Sequence, residues 1–480
     1  MKAQMKKQIP RLRCAALGMT VLAAVLSVCL VGTASADLAK RIDSIIGQST
    51  QKKVQFSIHI VEADSGKTVY SHNVKKALIP ASNMKIITTA AALKYLGPNY
   101  EYKTKVGLCG DTLVIVGGGD PLLGDKVADA KYDKKAGWLF EDIVQALKQN
   151  RVKTIKDITV DSSIFDDQRV HPNWPKKQLN RWYACEVSGL NYNGNCVDVT
   201  VKNSGGKVVV FIEPATDYVK IINKVKRVKK GRVGVAAYRT RELNKIILEG
   251  KCRKQQGPFP VAIERPAAFF SFLLAEKLTK ARINAEGKVI EKVVSKDCNF
   301  RALREYRTPI RDCLVRCNKS SFGLAAEALL KTIAAHSNEN CKNGNWVEGR
   351  ELIREYLLKL GIKGEEFYID DGSGLSRQNK LSANAITKVL LDAYNGKDWK
   401  LYKDSLAVGG VDGTLKRHFD EKKYKGKILG KTGYIAGVKS FSGVCSTADG
   451  DYIFSILANN TNGRTRTAIN DIAKAVVDSE

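Results

Sequence analysis

The sequence has few of the residues from which metal-dependent hydrolases build their sites. Its 480 residues contain five histidines, which are scattered along the chain, and no HExxH motif. Cys313 and Cys317 are close in sequence, but no second pair or nearby histidine completes a set of zinc ligands. We therefore expect no metal site and no cofactor, and the chemistry has to come from other side chains.

Acidic residues are also scarce, with 49 of them against 79 lysines and arginines and a formal net charge of +30. Such a surface attracts polyanions over long range. In a cytosolic protein the first candidate would be nucleic acid. In an exported protein it would be anionic cell-wall polymers or phospholipid headgroups, or the surface would simply be well solvated. The densest basic runs, 224–232 and 251–254, are predicted to be exposed strand edges or loops.

Long apolar runs are absent except near the start of the chain. Five basic residues and no acid precede an apolar run from Cys14 to about Val31, and the small residues Ala34 and Ala36 follow it. This order predicts a secretory signal over residues 1–36, cut ahead of Asp37. An uncleaved membrane anchor is the alternative, since the run approaches the roughly 20 residues that span a bilayer. We expect an exported protein of the periplasm or cell envelope, without a nucleic-acid partner.

Nine cysteines follow residue 36, an odd number that leaves at least one thiol without a partner in the chain. In an oxidising compartment some of the others are expected to pair. Cys185 and Cys196 are the most local candidate pair, and the sequence leaves the other pairings open.

The order of the predicted elements indicates one domain that is split by an insertion. Alternating apolar residues predict a hairpin from Val54–Ile60 to Thr68–Ser71. Helical spacing predicts a helix over Met84–Leu96 that stops at Gly97-Pro98. From about residue 102 to 290 the predicted elements are mainly short β-rich segments.

Helices and longer apolar strands dominate the rest of the chain. The predicted helices are Pro266–Thr279, Gly323–Ala335, Trp346–Leu360, Ala383–Tyr394 and 464–477, and the predicted strands are Phe441–Cys445 and Tyr452–Ala458. We therefore assign residues 37–101 and 291–480 to two segments of one domain. Residues 102–290 form the predicted β-rich inserted region, with room for two subdomains.

Ser82 and Lys85 form an SxxK motif at the start of the first predicted helix. This spacing places a hydroxyl and an amine one helical turn apart on the same face. A lysine kept neutral by desolvation or by a second cation can take the serine proton and so activate the nucleophile. SxxK also occurs at 49–52 and 204–207, and it is the preceding Pro80-Ala81 and the alanine-rich helix that favour Ser82.

Lys431, Thr432 and Gly433 lead into an apolar strand. The side chains of Lys431 and Thr432 could bind a substrate carboxylate, and Gly433 lets a substrate backbone lie close to the strand. The same run resembles a P-loop, but Gly426 is one residue too near for that motif, and export argues against ATP.

Several segments then occur together and in a fixed order: PASNMK at 80–85, DGSGLSR at 371–377, DGTL at 412–415 and GKTG at 430–433, with GGGDP at 117–121 and VSGLNYNGN at 187–195. With them the chain resembles the serine D-Ala-D-Ala carboxypeptidase/endopeptidase family, the class C low-molecular-mass penicillin-binding proteins. The resemblance covers nearly all of the chain after the signal. It implies an α/β (α+β) domain of the penicillin-recognising serine transpeptidase/β-lactamase type, with an antiparallel sheet and helices, split by a large β-rich insertion.

The resemblance also implies acyl transfer on peptidoglycan stem peptides, with β-lactam antibiotics as covalent inhibitors. Ser82 would attack the carbonyl between two D-alanines, and Lys85 would be the general base. Lys431 and Thr432 would hold the terminal carboxylate. The backbone N–H groups of Ser82 and Tyr434 would stabilise the oxyanion.

Two departures from the family pattern touch the site. The family has Ser-x-Asn before an Ala-Glu pair, whereas here Ser321 takes the serine position and Gly323 the asparagine position. Ser321 keeps a hydroxyl that can relay a proton to the leaving amine, but the amide is absent. Tyr434 stands where the family has threonine or serine, and strand alternation puts its ring on the face of Thr432. Arg377 is a candidate for contact with substrate.

These departures leave two alternatives to a serine D-Ala-D-Ala carboxypeptidase or endopeptidase. The first is a catalytically weak or inactive homologue that binds peptidoglycan. The second is a β-lactamase of the same superfamily, although the sequence identifies no carboxylate that could serve as its deacylating base.

Overall fold

The structure is a computed structural model that describes residues 36–479 apart from 286, 296 and 338–342. The predicted secretory signal therefore lies outside the described residues, except for its last position. Within the described ranges, no helix combines the length and the apolar character needed to cross a bilayer.

The helices are α1 (36–46), α2 (Met84–Leu96), α3 (Lys126–Ala130), α4 (Trp138–Gln149), α5 (Pro266–Lys280), α6 (Ile310–Lys319), α7 (Gly323–Ser337), α8 (Trp346–Lys359), α9 (Ala383–Tyr394), α10 (Trp399–Ser405) and α11 (Thr465–Val477). The strands are β1 (Gln55–Glu62), β2 (Thr68–His72), β3 (Glu101–Cys109), β4 (Thr112–Val116), β5 (Thr154–Ile155), β6 (Ile158–Asp161), β7 (Cys196–Ser204), β8 (Lys207–Glu213), β9 (Lys220–Arg227), β10 (Gly234–Arg239), β11 (Lys245–Cys252), β12 (Gln255–Ala262), β13 (Asn284–Ala285), β14 (Val289–Glu291), β15 (Arg301–Pro309), β16 (Phe367–Tyr368), β17 (Lys380–Leu381), β18 (Ala407–Val408), β19 (Ile428–Ile435), β20 (Val438–Thr447) and β21 (Gly450–Asn459). The predicted hairpin is present as β1 and β2, and α2 and α9 have the predicted bounds.

A six-stranded antiparallel sheet joins the two ends of the chain. Its strand order is β18-β19-β20-β21-β1-β2, so β1 from the start of the chain pairs with β21 from its end. Leu38 and Ile42 of α1 pack with Ile469 and Ile472 of α11 over one face. Helix α9 contacts β1 and β21. Because both faces are covered, β20 and β21 are buried over most of their length.

Helix α2 is buried over most of its length, from Met84 to Ala92, and packs against α6, α7, α8 and α9. Burial of successive residues over more than two helical turns places α2 in the core rather than at the surface. It ends at Gly97, whose φ of 79° suits glycine, and Pro98 prevents its continuation. The residues just before α2 are thereby fixed between the helical cluster and the sheet.

In the described residues the middle of the chain contains a five-stranded sheet in the order β14-β6-β4-β3-β15 and two three-stranded sheets, β12-β7-β8 and β10-β11-β9. Strands β13 and β5 form a short two-stranded sheet beside them. The predicted domain bounds at 102 and 290 stay a prediction. Strand β15 lies after residue 290 but pairs with β3 at the start of this region. Helix α4 was missed in this β-rich stretch, although Leu139, Ile143 and Leu147 follow helical spacing and are buried.

The disulfide arrangement differs from the local pairing that the sequence favours. Cys109 bonds with Cys298, 189 positions away. Cys185 and Cys196 are free thiols and buried, so the pairing expected between them is wrong. The disulfide ties the end of β3 to the segment that precedes β15.

Candidate active site

Ser82 lies in a short 3-10 turn, Ala81–Asn83, which runs directly into α2. Ala81 has a φ of 47°, a conformation that side chains other than glycine rarely adopt. Ser82 is half-buried and opens into a cleft of about 740 Å³. The hydroxyl is therefore accessible, while the backbone that carries it is held in a strained turn.

Lys85 lies one helical turn after Ser82, with its Nζ 3.3 Å from the serine Oγ. The same Nζ donates a 2.6 Å hydrogen bond to the carbonyl oxygen of Ser373. The lysine side chain is only 2% exposed, and burial lowers the pKa of its ammonium below the ordinary value. This arrangement favours a neutral amine that is aimed at the serine.

A tight loop over residues 371–376 supplies that carbonyl, and buried carboxylates hold the loop. Glu327 of α7 accepts hydrogen bonds from the backbone N–H groups of Gly372 (3.0 Å) and Ser373 (2.8 Å). Gly374 touches the serine turn so closely that an added Cβ would lie 1.8 Å from the Ala81 carbonyl oxygen. Because Gly374 has no side chain, the loop can pack directly against the serine turn while Glu327 of α7 holds its backbone.

Lys431 is fully buried behind the cleft wall. Its Nζ donates to the Ser321 hydroxyl at 2.9 Å and to the carbonyl oxygen of Thr432 at 2.8 Å. Burial, together with the nearby charge of Lys85, lowers its pKa well below the ordinary value. Ser321 has a φ of 57° and lines the cleft, so its hydroxyl separates the buried amine from the open space.

Strand β19 forms one wall of the cleft at the point where Gly433 meets the serine turn. An added Cβ on this glycine would lie 2.1 Å from the Ser440 hydroxyl and 3.0 Å from the Ser82 backbone nitrogen. Asn83 donates its side-chain amide to the carbonyl oxygen of Lys431 at 2.5 Å. Strand β18 pairs with β19 only at positions 429 and 430, so residues 431–435 pair with β20 alone. The strand therefore presents a free edge beside Ser82.

Thr432 and Tyr434 both line the cleft, as their shared strand face predicts. The Thr432 hydroxyl lies 3.0 Å from that of Thr414, which belongs to the DGTL segment. Tyr434 is 68% exposed. Arg377 also lines the cleft and donates to the carbonyl oxygen of Ala436 at its rim.

The missing amide at position 323 has a steric explanation. An added Cβ on Gly323 would lie 2.9 Å from the Tyr183 carbonyl oxygen. Trp182 and Tyr183, from the middle of the chain, line the cleft next to this glycine. An asparagine side chain would collide with that segment, so glycine at position 323 matches the path of the neighbouring backbone.

The structure thus brings Ser82, Lys85, Ser321, Thr432 and Tyr434 to one cleft and puts Lys431 and Gly433 behind its wall. Sequence reasoning missed the Ser373 carbonyl and the wall formed by residues 182 and 183. The PASNMK and DGTL segments contained Asn83 and Thr414 without assigning them a contact. In the described part of the chain, no group of three or more His, Cys, Asp or Glu side chains is placed to hold a metal ion.

The sequence matches the D-Ala-D-Ala carboxypeptidase 3 (S13) family over residues 38–479. It is 27% identical over 467 residues to a D-alanyl-D-alanine carboxypeptidase of Actinomadura sp. (strain R39), covering 92% of this chain and 84% of that protein. It is 21% identical over 407 residues to D-alanyl-D-alanine carboxypeptidase DacB of Haemophilus influenzae, covering 81% of this chain and 82% of that one.

The crystal structure of penicillin binding protein 4 (dacB) from Haemophilus influenzae matches the fold with a TM-score of 0.76 at 20% identity, over 91% of this chain and 98% of that one. A second structure of that protein, a complex with a β-lactam, gives a TM-score of 0.71 over the same shares at 20% identity. These matches confirm the predicted fold class, an α+β penicillin-recognising fold with antiparallel sheets and helices.

Proposed function

The chain belongs to the D-Ala-D-Ala carboxypeptidase 3 (S13) family, and from this premise we propose that it is a serine D-Ala-D-Ala carboxypeptidase or endopeptidase of peptidoglycan that works through an acyl-enzyme on Ser82. One observation carries the assignment of the nucleophile: the buried amine of Lys85 lies 3.3 Å from a serine hydroxyl that opens into a large cleft. The substrates are stem peptides that end in, or are cross-linked through, D-alanine. β-Lactams are the covalent inhibitors, in line with the β-lactam complex of the Haemophilus influenzae protein.

The first chemical step forms an ester and releases an amine. As the Ser82 oxygen attacks the carbonyl carbon between two D-alanines, its proton passes to the neutral amine of Lys85. The C–N bond then breaks, and the proton on Lys85 passes to the leaving amine through the Ser321 hydroxyl, which Lys431 holds at 2.9 Å, so that Lys85 is neutral again. Water hydrolyses the ester in the second step and regenerates the serine.

The free edge of β19 suits an extended peptide. A substrate backbone that lies along this edge extends the sheet, as peptides do in strand addition. Its carbonyl oxygen then points to the N–H groups of Ser82 and Tyr434, which form the oxyanion site. The hydroxyls of Thr432 and Thr414 bind the terminal carboxylate.

Lys431 has a different part in this proposal from the direct carboxylate contact that the family resemblance implied. Its side chain is 0% exposed, so it acts through Ser321, whose hydroxyl its Nζ holds at 2.9 Å.

The alternative functions predict different clefts. A β-lactamase needs a base that activates water for deacylation, but the described residues that line this cleft include no aspartate or glutamate. A wall-binding protein without turnover would follow from loss of an essential amide at position 323. Here the Tyr183 backbone takes up that space, and the pair of Ser82 and Lys85 keeps its geometry. Both observations favour the peptidase.

We also propose that the protein is exported and that a basic sheet face contacts anionic polymers or lipid headgroups of the envelope. In the register of β9 and β11, Lys220 lies opposite Lys245 and Lys226 opposite Lys251, while Leu248 on the other face is buried. The outward face is therefore rich in lysine. Salt-dependent retention of the mature protein on isolated envelopes tests this contact, and retention that is unchanged by salt would contradict it.

Labelling with a fluorescent penicillin tests the nucleophile. We expect Ser82→Ala to abolish covalent labelling and the release of D-alanine from a pentapeptide stem. Ser204→Ala is the matched control, because Ser204 belongs to another SxxK motif and does not line the cleft, and this variant should keep both activities. Labelling of the Ser82→Ala protein would contradict the assignment. Labelling without any release of D-alanine by the wild type would favour the binding protein.

A further inference from the structure

We propose that Trp174, in the middle region of the chain, is a positioning residue for Lys85 that acts through the buried carboxylate of Asp371. The proposal rests on the function given above for Ser82 and Lys85. It assigns to the region between the two catalytic segments a part in the reaction, in addition to forming one side of the cleft.

Asp371 is the point from which the loop over 371–376 is organised. One oxygen accepts from the Gly374 N–H and the Asn379 side-chain amide, both at 2.7 Å. The other accepts from the Ser376 N–H at 2.7 Å and from the Trp174 indole N–H at 2.9 Å. Asp371 is 0% exposed, so these donors take the place of water around a buried carboxylate.

A second tryptophan repeats the arrangement on Glu327. The Trp346 indole N–H donates to Glu327 at 2.8 Å, and Glu327 accepts from the loop amides of residues 372 and 373. The rings of Trp174 and Trp346 meet edge to face with centroids 5.9 Å apart. Two indole groups in mutual contact therefore hold the two carboxylates that shape the loop.

The loop in turn fixes the position of the catalytic lysine through hydrogen bonds to its backbone carbonyl groups. Its Ser373 carbonyl oxygen accepts from Lys85 Nζ at 2.6 Å, and its Gly372 carbonyl oxygen accepts from Thr88 on α2 at 2.7 Å. Lys85 Nζ has to remain within reach of the Ser82 hydroxyl, 3.3 Å away. A small displacement of the carbonyl changes the direction of the amine, and such displacements are costly in rate.

Trp174 is itself firmly anchored. The neighbouring Asn173 donates to both oxygens of Asp370, at 3.2 and 3.0 Å. Slightly earlier in the chain, Asp166 and the carbonyl oxygen of Gln168 accept from Lys331 of α7, at 2.6 and 2.7 Å. The segment that carries Trp174 is therefore fastened to the same helix that carries Glu327.

Trp174→Phe tests the proposal because it removes the N–H donor and keeps most of the ring. A lost hydrogen bond to a buried carboxylate should slow acylation of Ser82 by penicillin roughly tenfold. The non-covalent dissociation constant of penicillin should stay within twofold, because Trp174 does not line the cleft. Trp399→Phe is the matched control: Trp399 packs on Tyr402 of α10, and its replacement should leave the acylation rate constant unchanged.

A double-mutant cycle separates positioning through Asp371 from a general structural effect. In an Asp371→Asn background, Trp174→Phe should change the acylation rate constant by less than twofold, since its partner charge is gone. Effects that multiply, or a Trp174→Phe protein that acylates within twofold of wild type, would overturn the proposal. If Ser82→Ala abolishes labelling while Trp174→Phe is neutral, the proposed function stands and only this inference fails.

If Trp174→Phe does not fold, the proposal can be tested on the wild-type protein by NMR of its indole groups. The chain has five tryptophans, so an ¹⁵N-indole spectrum is sparse, and Trp174 can be assigned after Trp→Phe changes at the other four. Acylation of Ser82 should shift the Trp174 indole resonance and leave that of Trp399 in place. An unshifted Trp174 resonance would refute the coupling.

Discussion

The two walls of the cleft are held in place by different forces. On the strand wall, Gly433 sits against the serine turn with no room for a side chain, and Asn83 joins that turn to the Lys431 carbonyl oxygen. On the loop wall, Glu327 and Asp371 gather the backbone amides of the loop that supports Lys85. The strand wall depends on contact between backbones, whereas the loop wall depends on buried charge.

This difference implies that the two walls respond differently to conditions. Contact between backbones does not titrate, so the oxyanion site beside Gly433 should keep its shape over a wide pH range. Burial, reinforced by the charge of Asp371, raises the pKa of Glu327 to about 7. The loop wall can therefore gain a proton near neutral pH. A change to the loop wall should alter how the acylation rate depends on pH, whereas a change to the strand wall should lower the rate equally at every pH.

The largest effect is expected on the strand wall, from Gly433→Ala. The new methyl group would push β19 away from Ser82 and so displace an oxyanion donor, which should slow acylation by about 10²–10³-fold. Stopped-flow acylation by penicillin measures this at several pH values, and the loss should be the same at each. Gly463→Ala is the control, because nothing lies within 4 Å of its added Cβ. A Gly433→Ala enzyme within threefold of wild type would show that the contact does not hold the oxyanion site.

A smaller effect, roughly tenfold, is expected on the loop wall from Glu327→Gln. The carboxylate accepts from two loop amides and from Trp346, whereas a glutamine offers one oxygen and brings an N–H₂ group toward those donors. The loss in acylation rate should be largest above pH 7, where the wild-type carboxylate is ionised, and should shrink below it. A loss that does not vary with pH would remove the distinction between the walls.

The sequence predicted most of the elements that lie around the serine. The bounds of α2 followed from helical spacing of apolar residues and alanines that ends at Gly97-Pro98. The strand that contains Phe441 followed from the apolar character of its segment. The local sequence was sufficient in these cases, because buried elements are rich in apolar residues with a recognisable spacing. The alternation of side chains along a strand put Thr432 and Tyr434 on one face, and both line the cleft.

Features that depend on long-range contact could not be read from the sequence. The acceptor for Lys85 is the Ser373 backbone carbonyl, and such an oxygen has no residue-type signature. Cys109 pairs with Cys298 because the five-stranded sheet brings distant segments together, whereas sequence spacing favoured a local pair. The burial of Lys431 also depends on long-range contacts, so it could not be predicted from the sequence. Lysines are mostly exposed, and only the surroundings of Lys431 show that it is an exception.

The smallest expected effect concerns stability, and it has the opposite sign from activity. The pKa of Glu327 is higher in the folded protein than its ordinary value of 4.5, so the folded state binds the proton more tightly than the unfolded chain. The free energy of unfolding should therefore fall as the pH rises from about 4.5 to about 7, while acylation becomes faster. Burial also raises the pKa of Asp120 and Asp129 to about 6, which adds to the slope at lower pH.

Melting of the wild type and of Glu327→Gln between pH 6 and 7.5 isolates the contribution of Glu327, because Asp120 and Asp129 are present in both proteins and only Glu327 differs. The wild-type melting temperature should fall by about 1–3 °C across this range, and the variant should show a flatter profile. Gly433→Ala should keep the wild-type slope despite its larger loss of rate. If Glu327→Gln melted with an unchanged slope, the titrating group would lie elsewhere, and the loop wall would be no more sensitive to pH than the strand wall.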